Sequence, residues 1–158
     1  MSWLVYGDSY DNDTDYSNGA KTVRFKLNSK VVIKYIRTWV IVNNDAPFTN
    51  ITGKIYYDKP DETKGDLIQA SSTTFTKAQV LSLDNGVREL YFQFNDLALD
   101  GDNYYHFALM GTSSGFSDSS HIAWKTSYPD PVYEGGVSVT FSNLPKFPYT
   151  FVVIGDTF

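Results

Sequence analysis

The sequence predicts an all-β protein with the architecture of an antiparallel, jelly-roll-like β-sandwich of about eight or nine strands. Three observations support this fold class. Apolar and polar residues alternate with a period of two in many segments, aromatic residues make up 16% of the chain, and turn-forming residues separate the apolar segments. These turns recur about every 8–15 residues, a spacing typical of sandwiches and barrels.

The alternation defines the strands in order along the chain. In segment 21–27, the apolar residues Val23, Phe25 and Leu27 share one face, and polar residues occupy the other. Segments 51–57 and 88–94 repeat the pattern. Strands are predicted near residues 3–6, 21–27, 32–43, 51–57, 66–75, 87–95, 103–110, 120–126 and 148–155.

The strand over residues 32–42 departs from simple alternation because both of its faces are apolar. We expect Ile36, Val40 and Val42 to share a face with Thr38. We assign four other residues to the opposite face: Ile33, Tyr35, Trp39 and Ile41. Either this is a central strand overlain by a loop, or Trp39 and its neighbours contact another subunit.

Turns and one short helix complete the secondary structure. Thr76 is placed to cap a short helical segment over residues 76–82. Residues 84–86 and 100–103 carry hairpin-forming sequences. No linker divides the chain, so we expect a single β-sandwich domain over residues 1–158, with residues 1–20 forming an N-terminal strand and a polar acidic loop.

Composition excludes several functional classes. The net charge is -5 and the 13 Lys and Arg residues are scattered, so we expect no nucleic-acid partner. An acidic surface is repelled by anionic lipids, and no apolar run approaches the roughly 20 residues of a membrane span, so we expect no membrane association. The chain has no cysteine, which excludes disulfides and thiol chemistry. The N-terminus lacks the features of a signal peptide, so we expect synthesis in a host cytoplasm.

The titratable residues do not form a recognisable catalytic set. A hydrolytic triad requires a nucleophile, a histidine and an acid within mutual reach. Asp118, Ser120 and His121 supply these residue types, but neighbours on a strand point to opposite faces. His106 lies inside a predicted strand, which favours a role in cross-strand packing. The sequence therefore predicts no enzyme, no catalytic residues and no cofactor.

One acidic segment approaches a metal-binding motif. Asp11, Asp13 and Asp15 match the first three ligands of a calcium loop, but Tyr16 stands where glycine is needed and Thr22 where a bidentate glutamate is needed. We predict no metal site and interpret the segment as a solvated acidic loop. A looser calcium site at these three aspartates is the alternative.

Aromatic residues supply two sets of binding candidates. Sugars stack on exposed aromatic rings flanked by polar groups, which makes Trp124, Tyr128 and Tyr133 candidate sugar-binding residues. The alternative is that Trp124 belongs to the core and the two tyrosines close the end of the sandwich. The second set is the interface candidates: Trp3, Tyr35, Trp39 and Ile41.

The order of several segments resembles a known family. The resemblance rests on loose spacings of aromatic residues and glycines over residues 33–155. The segments are 33–40 (IKYIRTWV), 51–58 (ITGKIYYD), 66–73 (DLIQASST), 90–95 (LYFQFN), 97–109 (LALDGDNYYHFAL), 121–136 (HIAWKTSYPDPVYEGG) and 147–155. Together they are similar to the jelly-roll-like β-sandwich domain of tailed-phage tail and virion proteins, which also occurs in bacterial surface proteins.

The resemblance implies a non-catalytic protein. We expect a virion structural protein of a tailed bacteriophage, either a capsid decoration (cement) protein or a component of a head or tail fibre. Its expected partners are other virion proteins and further copies of itself in a homo-oligomer, with a trimer favoured. The alternative is a carbohydrate-binding module that recognises a host glycan. Two departures from the family are the separate Met1 and the extra acidic N-terminal segment.

Overall fold

Nine strands and one short helix make up the part of the chain that the computed structural model describes. Those residues are 20–42, 50–81, 88–111, 122–124, 137, 139–142 and 151–157. The elements are β1 (Ala20–Leu27), β2 (Val31–Val42), β3 (Asn50–Asp58), β4 (Lys64–Thr76), α1 (Lys77–Leu81), β5 (Arg88–Leu99), β6 (Tyr104–Gly111), β7 (Ile122–Trp124), β8 (Val139–Ser142) and β9 (Phe151–Thr157).

The strands pair antiparallel in two sheets. One sheet has the order β4-β3-β6-β1-β8. In the other, β2 is central, with β5 on one side and both β7 and β9 on the other. The chain changes sheet at every connection between consecutive strands except that from β3 to β4, as strands of jelly-roll-like proteins often do. The predicted fold class, an antiparallel β-sandwich, is confirmed.

The core lies between the two sheets, and β1, β3 and β6 contribute alternate residues to it. Its largest fully buried side chains are Phe25, Phe92, Phe107, Leu27, Ile33, Ile36, Ile51 and Ile55. Gly53 occupies the centre of this packing on β3. A Cβ atom at Gly53 would lie 2.8 Å from Cε1 of Phe107 and 2.9 Å from Cγ of Phe92. The rings therefore require glycine at this position.

A β-bulge at Lys34 changes which residues of β2 face the core. The pairing of β2 with both β5 and β9 shifts between Ile33 and Tyr35. Relative to β9, β2 has one extra residue at Lys34, which places Ile33 and Ile36 on the same, fully buried face, whereas Lys34 and Tyr35 are both exposed. The prediction that Ile33 shares a face with Tyr35 was therefore wrong, because strict alternation does not hold across a bulge.

Side chains of β4 join the exposed edge of β5 and thereby connect the two sheets. Nε2 of Gln69 donates to the carbonyl of Asn95 at 3.1 Å, and the amide of Asn95 donates to Oε1 of Gln69 at 2.9 Å. Ser72 donates to the carbonyl of Gln93, and the amide of Gln93 donates to Oγ1 of Thr73, both at 3.2 Å. These bonds satisfy backbone groups that an unpaired edge strand would expose to association.

Most predicted elements have counterparts in the described residues. The helical segment is confirmed as α1. Its start is a capping box, in which the amide of Gln79 donates to Oγ1 of Thr76 at 3.2 Å and the amide of Thr76 donates to Oε1 of Gln79 at 2.8 Å. The strand β8 was not predicted, and β1 begins at residue 20, inside the segment assigned to the N-terminal loop. The predicted strand at 3–6 and the predicted turn at 84–86 lie outside the described residues.

The turn at residues 100–103 is not a hairpin. It connects β5 in one sheet to β6 in the other, and the amide of Asp102 donates to the carbonyl of Leu27 at 2.7 Å. Asp102 has a positive φ of 62°. A turn was predicted at these residues and is present, but the local sequence does not specify whether the strands that it connects pair with each other. In the described part of the chain, no helix has the length and apolar character needed to span a membrane.

Candidate functional site

The outer face of the sheet centred on β2 carries an exposed aromatic pair. Tyr35 is 37% exposed and Tyr91 is 44% exposed. The strand register places Tyr35 opposite Gln93 and Arg37 opposite Tyr91, so the two tyrosines are diagonal neighbours across β2 and β5. Their ring centroids lie 6.3 Å apart at an interplanar angle of 87°. This edge-to-face arrangement is one that aromatic rings prefer.

A charged pair holds Tyr91 in place. Nε and Nη2 of Arg37 donate to Oε1 of Glu89 at 3.0 and 2.7 Å. The Arg37 guanidinium lies 5.1 Å from the centroid of the Tyr91 ring, within the range of a cation–π contact. A side-chain hydrogen bond to Glu89 is the main reason that the pKa of Tyr91 is raised. We refer to Tyr35, Arg37, Glu89 and Tyr91 together as the aromatic face.

A notch lies at the Tyr35 end of the aromatic face, where the pairing of β2 with β5 is irregular. Between the pairs Ile33–Leu97 and Tyr35–Gln93, β2 contributes one residue and β5 contributes three. Asp96, one of those three, has a positive φ of 48°. The notch has a volume of about 280 Å³ and is lined by Val32, Ile33, Lys34, Tyr35, Gln93, Phe94, Asn95 and Asp96.

The outer face of the five-stranded sheet carries a polar cluster centred on Asp58. Arg24 donates to Asp58 through Nε at 3.0 Å and Nη2 at 2.8 Å, and its Nη1 lies 2.9 Å from Oε1 of Glu62. Nε2 of His106 lies 2.8 Å from Oδ1 of Asp58. The Arg24 guanidinium also stacks 3.7 Å from the centroid of the Tyr104 ring. The pairing of β1 with β6 places Arg24 directly opposite His106, which explains why these groups meet.

Electrostatics in the cluster stabilise an ionised Asp58. Hydrogen bonds from Arg24, and secondarily from His106, lower the pKa of Asp58 although partial burial opposes the shift. The same bond raises the pKa of Arg24. His106 is 4% exposed, and its Nδ1 has no hydrogen-bond partner among the described residues. The carboxylate is thus engaged in holding Arg24 and His106 in place, which is a structural role.

The residues predicted as site candidates have different outcomes. Tyr35 lies on the outer face and is exposed, and its role as an interface residue stays a prediction. Trp39 and Ile41 lie further along β2, and Trp124 ends β7 opposite Val40, but their side chains are outside the described part of the structure. The remaining candidates also lie outside the described residues: Trp3, Tyr128, Tyr133, and the calcium candidates Asp11, Asp13 and Asp15.

Two features of these surfaces were not predicted from the sequence. Tyr91 occupies an outward position between Leu90 and Phe92, so alternation alone could have identified it. The polar cluster could not be identified this way, because Arg24 and His106 come from distant segments. In the described ranges, no group of three or more His, Asp or Glu side chains is arranged to hold a metal ion.

Comparison with known proteins gives no further assignment. No protein-family model matches the chain, and neither a curated protein nor a solved structure matches it.

Proposed function

We propose that this chain is a non-catalytic virion structural protein that works by burying surface in an assembly, with the aromatic face as part of the buried surface. One observation carries the interface proposal. Two large aromatic side chains, Tyr35 and Tyr91, are exposed side by side and held in fixed orientation by packing and by the Arg37–Glu89 pair.

The composition of the aromatic face favours protein association. Tyrosine and arginine are enriched among the residues that dominate binding energy at interfaces. Preorganised side chains lose little conformational freedom on binding, so more of the contact energy contributes to affinity. The polar cluster around Asp58 is a weaker candidate because Arg24 is only 10% exposed and its guanidinium is already paired with carboxylates.

The virion context rests on the resemblance of residues 33–155 to the phage tail and virion domain. The assembly proposed for such a protein is a symmetric homo-oligomer, and a trimer with head-to-tail contacts would close into a ring. A capsid surface, a tail or a fibre would then supply the further partners.

The oligomeric state tests the interface. We expect light scattering after gel filtration to give three times the 17.8 kDa of one chain for the wild type. The double variant Tyr35→Ala/Tyr91→Ala should give the monomer mass. Tyr57→Ala is the matched control, because Tyr57 is 54% exposed on β3 in the other sheet and should leave the trimer intact. A wild-type monomer, or an oligomer unaffected by the double variant, would refute the proposed interface.

The virion assignment needs a separate measurement. Mass spectrometry of tailed-phage particles purified from the source of the chain should detect the protein at a fixed copy number per particle. Its absence from particles that otherwise contain the full set of structural proteins would refute the virion role.

A further inference from the structure

We propose that the notch between β2 and β5 binds a neutral carbohydrate, with Tyr35 as the stacking platform and the side-chain amides of Gln93 and Asn95 as the hydrogen-bonding groups. This inference goes beyond the proposed assembly role. Because Tyr35 belongs to both surfaces, a sugar and a neighbouring subunit compete for it, so the sugar should bind the monomer and shift the oligomer towards it. The double variant Gln93→Ala/Asn95→Ala separates the two roles, because it should weaken sugar binding and leave the oligomer mass unchanged. The residues involved are different from the sugar-binding candidates predicted from the sequence.

The notch is formed by two backbone irregularities that face each other. On β2, the extra residue at Lys34 relative to β9 turns two consecutive residues, Lys34 and Tyr35, towards solvent. On the opposite strand, Asp96 adopts a left-handed conformation, which aspartate reaches more readily than most residues other than glycine. Bulges that redirect side chains are frequent next to active sites.

The backbone beneath the notch is already hydrogen-bonded, which leaves the side chains available. Side chains of β4 satisfy the amide and carbonyl groups of both Gln93 and Asn95. The side-chain amides of Gln93 and Asn95 have no hydrogen-bond partner within the part of the chain that the structure describes, and both residues are exposed. A primary amide offers donors and an acceptor, and a sugar hydroxyl both donates and accepts, so the two groups are complementary.

Tyr35 supplies the apolar wall on which the ring of a sugar would stack. Its side chain lines the notch and is 37% exposed. The edge-to-face contact with Tyr91 fixes its orientation at 87°. Concave sites for small molecules combine an aromatic wall with a few polar groups of this kind.

Charge and size select the class of sugar. The cation at the notch, Lys34, forms an ion pair with Asp156 at 3.0 Å, and Asp96 places a carboxylate in the lining. With a net charge of -5 on the chain, an anionic ligand would be repelled. The volume of about 280 Å³ lies near the lower end of the roughly 300–1,000 Å³ typical of ligand sites, which suits one or two pyranose rings.

Titration calorimetry and saturation-transfer NMR on the full chain can test the proposal. The probes are neutral trisaccharides of glucose, mannose, galactose and N-acetylglucosamine, with sialyllactose as the anionic comparison. We expect millimolar or tighter binding of at least one neutral probe. Tyr35→Ala and the double variant Gln93→Ala/Asn95→Ala should each weaken that binding at least tenfold.

Two controls separate the notch from other surfaces. Tyr57→Ala removes an exposed tyrosine from the other sheet and should leave sugar binding unchanged. Circular dichroism of each variant should match the wild type, because the substituted side chains are exposed. The proposal is wrong if no neutral probe binds, if the notch variants bind as well as the wild type, or if sialyllactose is the preferred ligand.

Discussion

Arg24 donates two parallel hydrogen bonds to Asp58, from Nε to Oδ1 at 3.0 Å and from Nη2 to Oδ2 at 2.8 Å. Such bidentate pairs are the strongest hydrogen-bonded ion pairs in proteins. The pair links β1 to the end of β3 although β6 lies between these strands in the sheet. The side chains therefore act as a brace across three strands, and His106 on the middle strand contacts the same carboxylate.

This brace makes stability depend on pH. The pKa of Asp58 is lower in the folded chain than its ordinary value of about 3.9. The contribution of ionised Asp58 to folding stability is therefore fully present above that ordinary value, and it is lost as the pH falls through the folded-state pKa. We expect Asp58→Asn to lower the free energy of unfolding at pH 7 by about 2–3 kcal/mol. Between about pH 5 and pH 2, the free energy of unfolding should fall less steeply in the variant than in the wild type.

Urea denaturation at a series of pH values measures both effects. Asp66→Asn serves as the control, because Asp66 is an exposed carboxylate on β4. If Asp58→Asn and Asp66→Asn changed stability equally at every pH, the brace would make no specific contribution.

Thr38 offers a stabilising substitution. Its side chain is fully buried on β2, and its hydroxyl has no hydrogen-bond partner among the described residues. Valine has nearly the same shape without the polar group, so Thr38→Val should stabilise the fold by about 1 kcal/mol. The expected readout is a higher urea midpoint at an unchanged denaturant slope. Thr22→Val, at an exposed position of β1, should show no such gain, and a loss of stability in Thr38→Val would mean that the hydroxyl is bonded.

Gly53 tests the packing of the core. An alanine Cβ there would overlap the rings of Phe107 and Phe92, so we expect Gly53→Ala to destabilise the fold by about 1–3 kcal/mol. Combining it with Phe92→Leu gives the added methyl group more room. In a double-mutant cycle the combined cost should therefore be smaller than the sum of the single costs. Strict additivity would show that the two residues do not compete for the same space.

Much of the secondary structure could be predicted from the sequence, because alternation directly reflects which face of a strand is buried. The segments containing β1, β3 and β5 followed this rule, and the Thr76 cap identified the only helix among the described elements. The short strand β8 has four residues, too few for a periodic pattern to stand out. Ile33 was misplaced because β2 has one extra residue at Lys34 relative to β9, and this residue reverses which way the side chains before it face.

The candidate sites were less accessible to sequence reasoning. Tyr35 was named as an interface candidate from the sequence, but its partner Tyr91 comes from another strand and only the register brings the two rings together. The notch depends on two irregularities that match across β2 and β5. The residue pattern along one strand does not show which residues of the neighbouring strand lie opposite it.

The sequence by itself determined that this chain is an all-β protein of sandwich or barrel type, because strands with period-two alternation bury their apolar face only when sheets pack on each other or close on themselves. Tertiary structure alone decided how the strands are ordered and which polar groups meet. Asp58 is 34 positions from Arg24 and 48 positions from His106 in the sequence. Gln69 bonds to Asn95, which is 26 positions away. Such contacts follow from sheet topology and register, which non-local packing sets and local propensity does not.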